Sequence, residues 1–380
     1  RSSLDRSSAA SDVYKRQVKT NMFILSPVRK NKFAHSFLLP SELQTMKFLT
    51  FRIPIYYSLL IVLLFGSAFT WLYQRPVKVI ERVAERSNCN VEILRQNQYE
   101  LTKPLILVDV ASEEQSFTNL KSILNQYLDR QKSLGIIQSA SVMFREQFDG
   151  KWFSINPTEN YNPGSIMKLV SMICYLKAAE SNPAILERKI LLVRHFGEIP
   201  DQTLTGKALV PGSYYKVRDL IAQMVIYSDN DAAALLNRDV DFDVYKRILK
   251  DLGLPGFEKT QMNYEMNAIE CTKLLRVLFN SSILKPESSE FALQLLTQSG
   301  YNAGIAKYID PSVKIARKFG ERVYAGNQQL HETGIFYYKD RPYILTVMTK
   351  GPDNLALPAV LADVSQMVYN YLNEGSLAMK

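Results

Sequence analysis

Cysteine and histidine are scarce in this chain, with three of each among 380 residues. There is no Cys-x-x-Cys pair and no Cys/His cluster, so a structural zinc site has no support and neither metal nor other cofactor is expected. Cys174 and Cys271 fall inside apolar helical patterns and read as small core residues; Cys89 stands apart in a charged stretch. A phosphate-binding loop, an internal repeat and a low-complexity tract are lacking as well. Net charge is small outside the N-terminal region. The formal net charge is +9, but residues 1–54 hold ten Lys/Arg and three Asp/Glu, which leaves about +2 on all the rest. A near-neutral body offers no phosphate-binding face, so a nucleic-acid partner is disfavoured.

No charged residue occurs from Ile53 to Gln74. As a helix those 22 residues would span roughly 33 Å, about one hydrocarbon core. Lys47 and Arg52 precede the stretch, and Tyr56, Tyr57, Trp71 and Tyr73 sit near its ends like interfacial aromatics. The reading is a single-pass membrane anchor over 53–74, with the basic tail inside and everything after it outside the cytoplasm. Arg75, Lys78 and Arg82 soften that asymmetry. The competing reading is a cleaved signal peptide, with Leu59–Phe65 as its apolar centre and Gly66-Ser67-Ala68 before the cut. The first residues, RSSLDRSSAASDVYKRQ, carry no initiator Met and resemble translated sequencing adapter. The natural start is expected at Met22 or Met46, and residues 1–21 are set aside.

The length suits one large domain or two ordinary ones, and 47% apolar with 22% charged residues is a globular composition. The expected organisation is a basic tail over 1–52, the anchor, a stalk over 75–100 and one catalytic-sized domain over 101–380. Apolar residues at Phe117, Leu120, Ile123, Leu124, Tyr127 and Leu128 form a helical stripe. SASVMFREQFDGKWFSI holds two β-rich runs around Asp149-Gly150, a hairpin signal. Helical patterns fill residues 218–298. Near residue 313 the period changes: VKIARKFG, TGIFYY and PYILTVMTKG read as three strands, and LPAVLADVSQMVYNYL as a closing amphipathic helix. The fold class is therefore α+β. One antiparallel sheet is built from both chain ends and flanked by terminal helices, with an inserted helical lobe at about 165–305.

Ser-x-x-Lys occurs three times, at Ser165/Lys168, Ser213/Lys216 and Ser282/Lys285. Serine is a common helix N-cap and a first-turn lysine usually points into water, so the motif alone carries little. Context separates the three. YYKV after Ser213 is β-rich, and Ser282 lies in a loop. Only Ser165 follows Pro163-Gly164 and opens a long apolar run, LVSMICYLKAA. At a helix N-terminus an alkoxide and an oxyanion are stabilised, and a lysine packed among Met167, Leu169 and Met172 is desolvated towards a basic amine. The second element is Tyr227-Ser228-Asp229-Asn230-Asp231. The bland reading makes Ser228 an N-cap with Asp231 at the capping-box position; the functional one puts Ser228 and Asn230 in a cleft. The third is Lys318-Phe319-Gly320, on a strand, where a lysine is often a solubility device and the glycine permits close backbone approach. There the Glu321 backbone N–H would join that of Ser165 as an oxyanion hole.

The order S-x-x-K, S-D-N, K-x-G, with the helix and strand contexts each needs, resembles the class A β-lactamase and penicillin-binding serine hydrolase superfamily over about residues 101–380. TVMTKG at 346–351 resembles it too. The resemblance implies Ser165 as nucleophile, Lys168 as general base, Ser228 as proton relay and Lys318 as a cationic group on the sheet edge. It also implies that Asn230, Phe319, Gly320 and Glu321 contact substrate, an amide or ester of β-lactam or peptidoglycan-like chemistry. Two departures qualify it. Phe319 stands where a hydroxyl residue usually binds the substrate carboxylate. The Glu-bearing loop that activates the deacylating water is not recognisable, with Glu258 and Glu265 the nearest acids, so slow deacylation and inefficient β-lactam turnover are expected. A D,D-peptidase acting on cell-wall peptides, and a binding module with Phe319 in the substrate's place, remain alternatives.

Overall fold

The computed structural model describes residues 91–96, 105–110, 112–196, 204, 208–254, 256, 264–323 and 326–377. All of them belong to the unit Ala84–Lys380. The basic tail, the apolar stretch 53–74 and Cys89 lie outside the described residues. Among the described residues no helix is long and apolar enough to cross a membrane.

Strands β1 (Val91–Arg95) and β2 (Leu105–Val110) pair as an antiparallel ribbon. β1 thus begins inside the stretch read as a stalk. Helix α1 (Thr118–Ser133) follows, burying Leu120, Leu124 and Leu128, the i, i+4, i+8 row of the predicted stripe. β3 (Ser139–Glu146) and β4 (Trp152–Ile155) form the hairpin announced by Asp149-Gly150. Gly150 takes φ +71°, a conformation glycine adopts without cost.

The chain then leaves the sheet for a helical lobe. A 3-10 turn, Gly164–Met167, leads directly into α2 (Lys168–Ala179), and α3 (Ala184–Glu187) follows. A two-stranded ribbon, β5 (Lys189–Leu191) with β6 (Tyr214–Lys216), precedes α4 (Val217–Ile226). The lobe is completed by α5 (Asn230–Asp239), α6 (Phe242–Asp251), α7 (Ala268–Phe279) and α8 (Pro286–Leu296). The chain returns as β7 (Lys314–Arg322), β8 (Gln328–Tyr337) and β9 (Tyr343–Gly351), and closes with α9 (Leu357–Leu377).

The main sheet has the order β4-β3-β9-β8-β7, antiparallel throughout, so its strands come from both ends of the domain. Alternation along β9 shows how its faces divide. Ile344 and Met348 join the core of the helical lobe, while Tyr343, Leu345 and Val347 join a second core under α1 and α9. A strand presents alternate residues to opposite faces, so a sheet between two helical layers carries apolar residues on both. β7 is an edge of this sheet, and the turn carrying Ser165 packs against it.

Candidate active site

Ser165 and Lys168 are brought together by a tighter helix than the spacing predicts. Ser165 lies in the 3-10 turn, not in the α-helix, and Lys168 is the first residue of α2. With about three residues per turn, side chains at i and i+3 eclipse one another. Nothing bulky separates this turn from β7. A Cβ on Gly320 would stand 2.1 Å from the Pro163 carbonyl oxygen, and one on Gly164 2.4 Å from that of Glu321. Gly164 also takes φ +51°. Glycine at both positions therefore lets the turn rest directly on the strand, with the Glu321 backbone beside it.

The approach to Ser165 is held by β8. The Asn162 amide N–H donates to Gln329 Oε1 at 3.0 Å, and the Gly164 N–H donates to Asn162 Oδ1 at 3.1 Å. His331, fully buried, lies 3.1 Å from the Asn162 carbonyl through Nε2, and its Nδ1 accepts the Thr349 N–H at 3.2 Å. Nδ1 being the acceptor, Nε2 carries the proton and donates to Asn162. Burial lowers the His331 pKa to about 3, so the imidazole stays neutral at working pH. Sequence reasoning missed Asn162, Gln329 and His331. Asn162 stood next to the motif, but nothing along the chain links it to residues some 170 positions later.

The second element closes over the Lys168 amine. Lys168 is 7% exposed. Its Nζ donates to the Ser228 carbonyl at 2.5 Å, to Asn230 Oδ1 at 2.8 Å and to Ser228 Oγ at 3.2 Å. Ser228 reaches this position in the left-handed region, at φ +57°, a conformation unusual for serine and common at functional turns. The N-cap of α5 is Asp229, whose carboxylate accepts the Ala232 N–H at 2.7 Å; Ser228 is thus not the cap. Asp231, placed at a capping-box position in the bland reading, instead accepts the Phe196 N–H at 2.8 Å and meets His195 Nδ1 at 2.5 Å. That contact, too, was invisible in the sequence.

Lys318 arrives from the other side. It is fully buried, and its Nζ donates to Ser228 Oγ at 2.9 Å and to the Phe319 carbonyl at 2.8 Å. Two lysine amines thus meet on one serine hydroxyl. Burial lowers the Lys168 pKa to about 7, against the nearby charges of Asp229 and Glu321, which raise it. Burial and then the Lys168 charge push Lys318 well below its ordinary value, against Glu332 and Glu321.

Phe319 requires a correction. Expected at the substrate, its side chain is 2% exposed and stacks on Tyr301, ring centroids 4.4 Å apart, in the core beneath α1 and α9. The reason is strand alternation. Lys318 faces the cleft, so Phe319 must face away. It neither fills the substrate's place nor lines the cleft; its carbonyl accepts from Lys318 Nζ, and the same amine lies 4.3 Å from its ring centroid. Glu265 is exposed and borders a small hollow with Gln329 and Lys350 that meets the Ser165 cleft at Asn162; it does not line the cleft itself. Glu258 lies outside the described residues.

Ser165, Lys168, Asn230 and Glu321 open on a cavity of about 1070 Å³. Among the described residues no group of three or more His, Cys, Asp or Glu is placed to hold a metal ion. The arrangement contains a hydroxyl, an amine that is half neutral near pH 7, a second amine linked to it through a serine, and backbone amides at a helix start. Those are the parts of acyl transfer.

A sequence model described as the β-lactamase enzyme family matches residues 119–372. No curated protein matches. Among solved structures, PBP-A is 18% identical with a TM-score of 0.56, covering 68% of this chain and 97% of that one. A mutant of it is described as an acyl-enzyme complex with penicillin G. The TLA-1 extended-spectrum β-lactamase is 15% identical, TM-score 0.57, with 67% and 98% covered. A β-lactamase from Chitinophaga pinensis is 16% identical, TM-score 0.57, with 67% and 100% covered. At these identities the likeness is one of fold.

Proposed function

The chain belongs to the β-lactamase enzyme family and is a serine hydrolase of that type, and from this premise we propose that Ser165 forms a covalent acyl-enzyme on an amide or ester of β-lactam or peptidoglycan-like chemistry. The Ser165 oxygen attacks the carbonyl carbon, and its proton passes to the neutral Lys168 amine. The negative oxygen of the tetrahedral intermediate is stabilised by the backbone N–H groups of Ser165 and Glu321. The bond to the leaving group breaks, and that group takes up a proton handed on from Lys168 through Ser228. Lys318, in contact with the same hydroxyl, holds Ser228 in place and biases the path electrostatically. Asn230, bonded to Lys168, is placed to bind the substrate amide. Water then cleaves the Ser165 ester and releases the acid. The sequence carries no recognisable Glu-bearing loop to activate that water, which supports a long-lived acyl-enzyme.

The observation that carries this reading is the meeting of Lys168 and Lys318 on the Ser228 hydroxyl, with Ser165 three residues before Lys168 on the 3-10 turn and lining the same cavity. The uncharged stretch 53–74 supports a membrane-anchored enzyme with this domain outside the cytoplasm. Intact-mass spectrometry after incubation with penicillin G or a fluorophosphonate tests the chemistry. A stoichiometric adduct on the wild type, absent from Ser165→Ala, is the expected result. An unreactive wild type, or an adduct that survives Ser165→Ala, overturns it.

A further inference from the structure

The two residues ahead of Pro163 are tied down on all sides. The Tyr161 N–H donates to the Met266 carbonyl at 2.9 Å, and its own carbonyl accepts the Met266 N–H at 2.8 Å. Its hydroxyl meets Ser141 Oγ at 3.0 Å, and its ring stands edge-on to His331, centroids 5.2 Å apart. Asn162 is engaged through three groups. Its N–H donates to Gln329, its carbonyl accepts from His331, and its side-chain Oδ1 accepts the Gly164 N–H.

The last of these bonds closes an Asx turn, in which an asparagine side chain stands in for a backbone acceptor two residues before the donor. It fixes Gly164 at φ +51°, where a Cβ would stand 3.0 Å from the Glu321 nitrogen. The next N–H in the chain is that of Ser165. The Asn162 side chain therefore governs how the Ser165 backbone sits against Glu321. The sheet supplies the other half of the alignment. Glu321 on β7 pairs with Leu330 on β8, and Gln329 and His331 flank Leu330. Two residues apart, they point to one face of the strand, and both are buried. The register that places the Glu321 backbone thus also places the two side chains that hold Asn162.

We propose that Asn162 is a positioning residue for acyl transfer: its side chain, held in place by Gln329 and His331, aligns the Ser165 N–H with that of Glu321 on the oxygen of the tetrahedral intermediate. The proposal rests on the acyl-transfer reading and adds three residues to it, none of which exchanges a proton with substrate. Negative charge develops on that oxygen only as the intermediate forms, so the alignment acts on the acylation step more than on the first binding.

Stopped-flow acylation at rising probe concentration tests it, with a fluorescent penicillin or a fluorophosphonate, whichever labels the wild type. It separates the dissociation constant of the first complex from the acylation rate constant. Asn162→Ala removes the acceptor of the turn and should lower the rate constant roughly 10- to 100-fold, with the dissociation constant changed less than about threefold. Asn162→Ser, whose hydroxyl closes the same turn more weakly, should recover part of the rate. His331→Gln keeps an N–H donor for the Asn162 carbonyl and should acylate within about threefold of wild type, whereas His331→Leu, with no donor, should fall with Asn162→Ala. The His331 pair carries the test if Asn162→Ala does not fold. Leu124→Ala, in the core under α1, is the control for lost stability alone. The proposal is overturned, with acyl transfer left standing, by full-rate Asn162→Ala, by a loss confined to the dissociation constant, by equal losses in His331→Gln and His331→Leu, or by an equal loss in Leu124→Ala. A wild type that takes no label at Ser165 overturns both.

Discussion

Lys168 is half neutral near pH 7 because burial removes water from its charge more effectively than Asp229 and Glu321 restore favourable potential. A base must be unprotonated to accept the Ser165 proton. The acylation rate should therefore fall on the acid side with an apparent pKa near 7, read by stopped-flow labelling across pH 5–9. Lys168→Met should reduce acylation by roughly 10²- to 10⁴-fold. The same shift has a signature in stability. The unfolded chain holds its proton up to the ordinary value of 10.5, so between about 7 and 10.5 it binds more protons than the folded protein, and stability rises with pH across that window. Below pH 7 the cost of burying the charge is present in full. Lys168→Met should accordingly gain more stability over wild type at pH 6 than at pH 10 in urea titrations. For His331 the window is lower. Its folded value of about 3 against the ordinary 6.5 means stability is lost as pH falls from about 6.5 towards 3. His331→Gln should flatten that acid limb, and equal slopes for the two proteins would refute the assignment. The direction of the Lys168 shift was readable from the chain; its size, and the His331 shift altogether, were not. The motifs named Lys168 as a desolvated amine, but the residues that bury it, Ser228 and Asn230, come some 60 positions later.

At the level of elements, the contact between the Ser165 turn and β7 decides whether a site exists. Gly164 and Gly320 let two backbones touch, and neither can accept a methyl group without displacing a carbonyl oxygen. Gly320→Ala should destabilise the fold by about 1–3 kcal/mol, the usual cost of overpacking, and should slow acylation by separating the turn from Glu321. Thermal melts and labelling rates check both parts; a variant that melts like wild type and acylates at full rate would contradict this account. Behind the same strand Arg317 pairs with the fully buried Glu332 at 3.1 Å and also donates to the Ser299 carbonyl and to Asn302. Arg317→Met leaves a buried carboxyl without its partner and should cost roughly 3–5 kcal/mol by chemical denaturation. The main-sheet strands and their hairpin were legible because period-two alternation and Asp149-Gly150 are local signals, whereas β1, which begins in the stretch read as a stalk, was not. The 3-10 turn at Ser165 was not. Its tightness comes from docking on β7, whereas the apolar spacing after it fits an α-helix equally well.

For the whole molecule, the two cores on either face of the sheet show why the domain closes with a helix that packs beside α1. Residues of both chain ends must fold before the main sheet exists, and the cleft forms where the helical lobe meets the edge strand β7. The anchor proposed over 53–74 predicts that the full chain stays with the membrane pellet after an alkaline carbonate wash, and that a chain starting at residue 84 does not. Recovery of the full chain in the wash would refute the anchor.

The order of three short motifs, the α+β class and the strands of the main sheet were settled by sequence alone, because each depends on residues close together in the chain. Which way Phe319 points, what buries Lys168, and how much space lies beyond Asn230 were decided only in three dimensions. A strand's alternation says that neighbours face apart, not which face is the cleft. Desolvation and cavity volume depend on distant segments packing against one another.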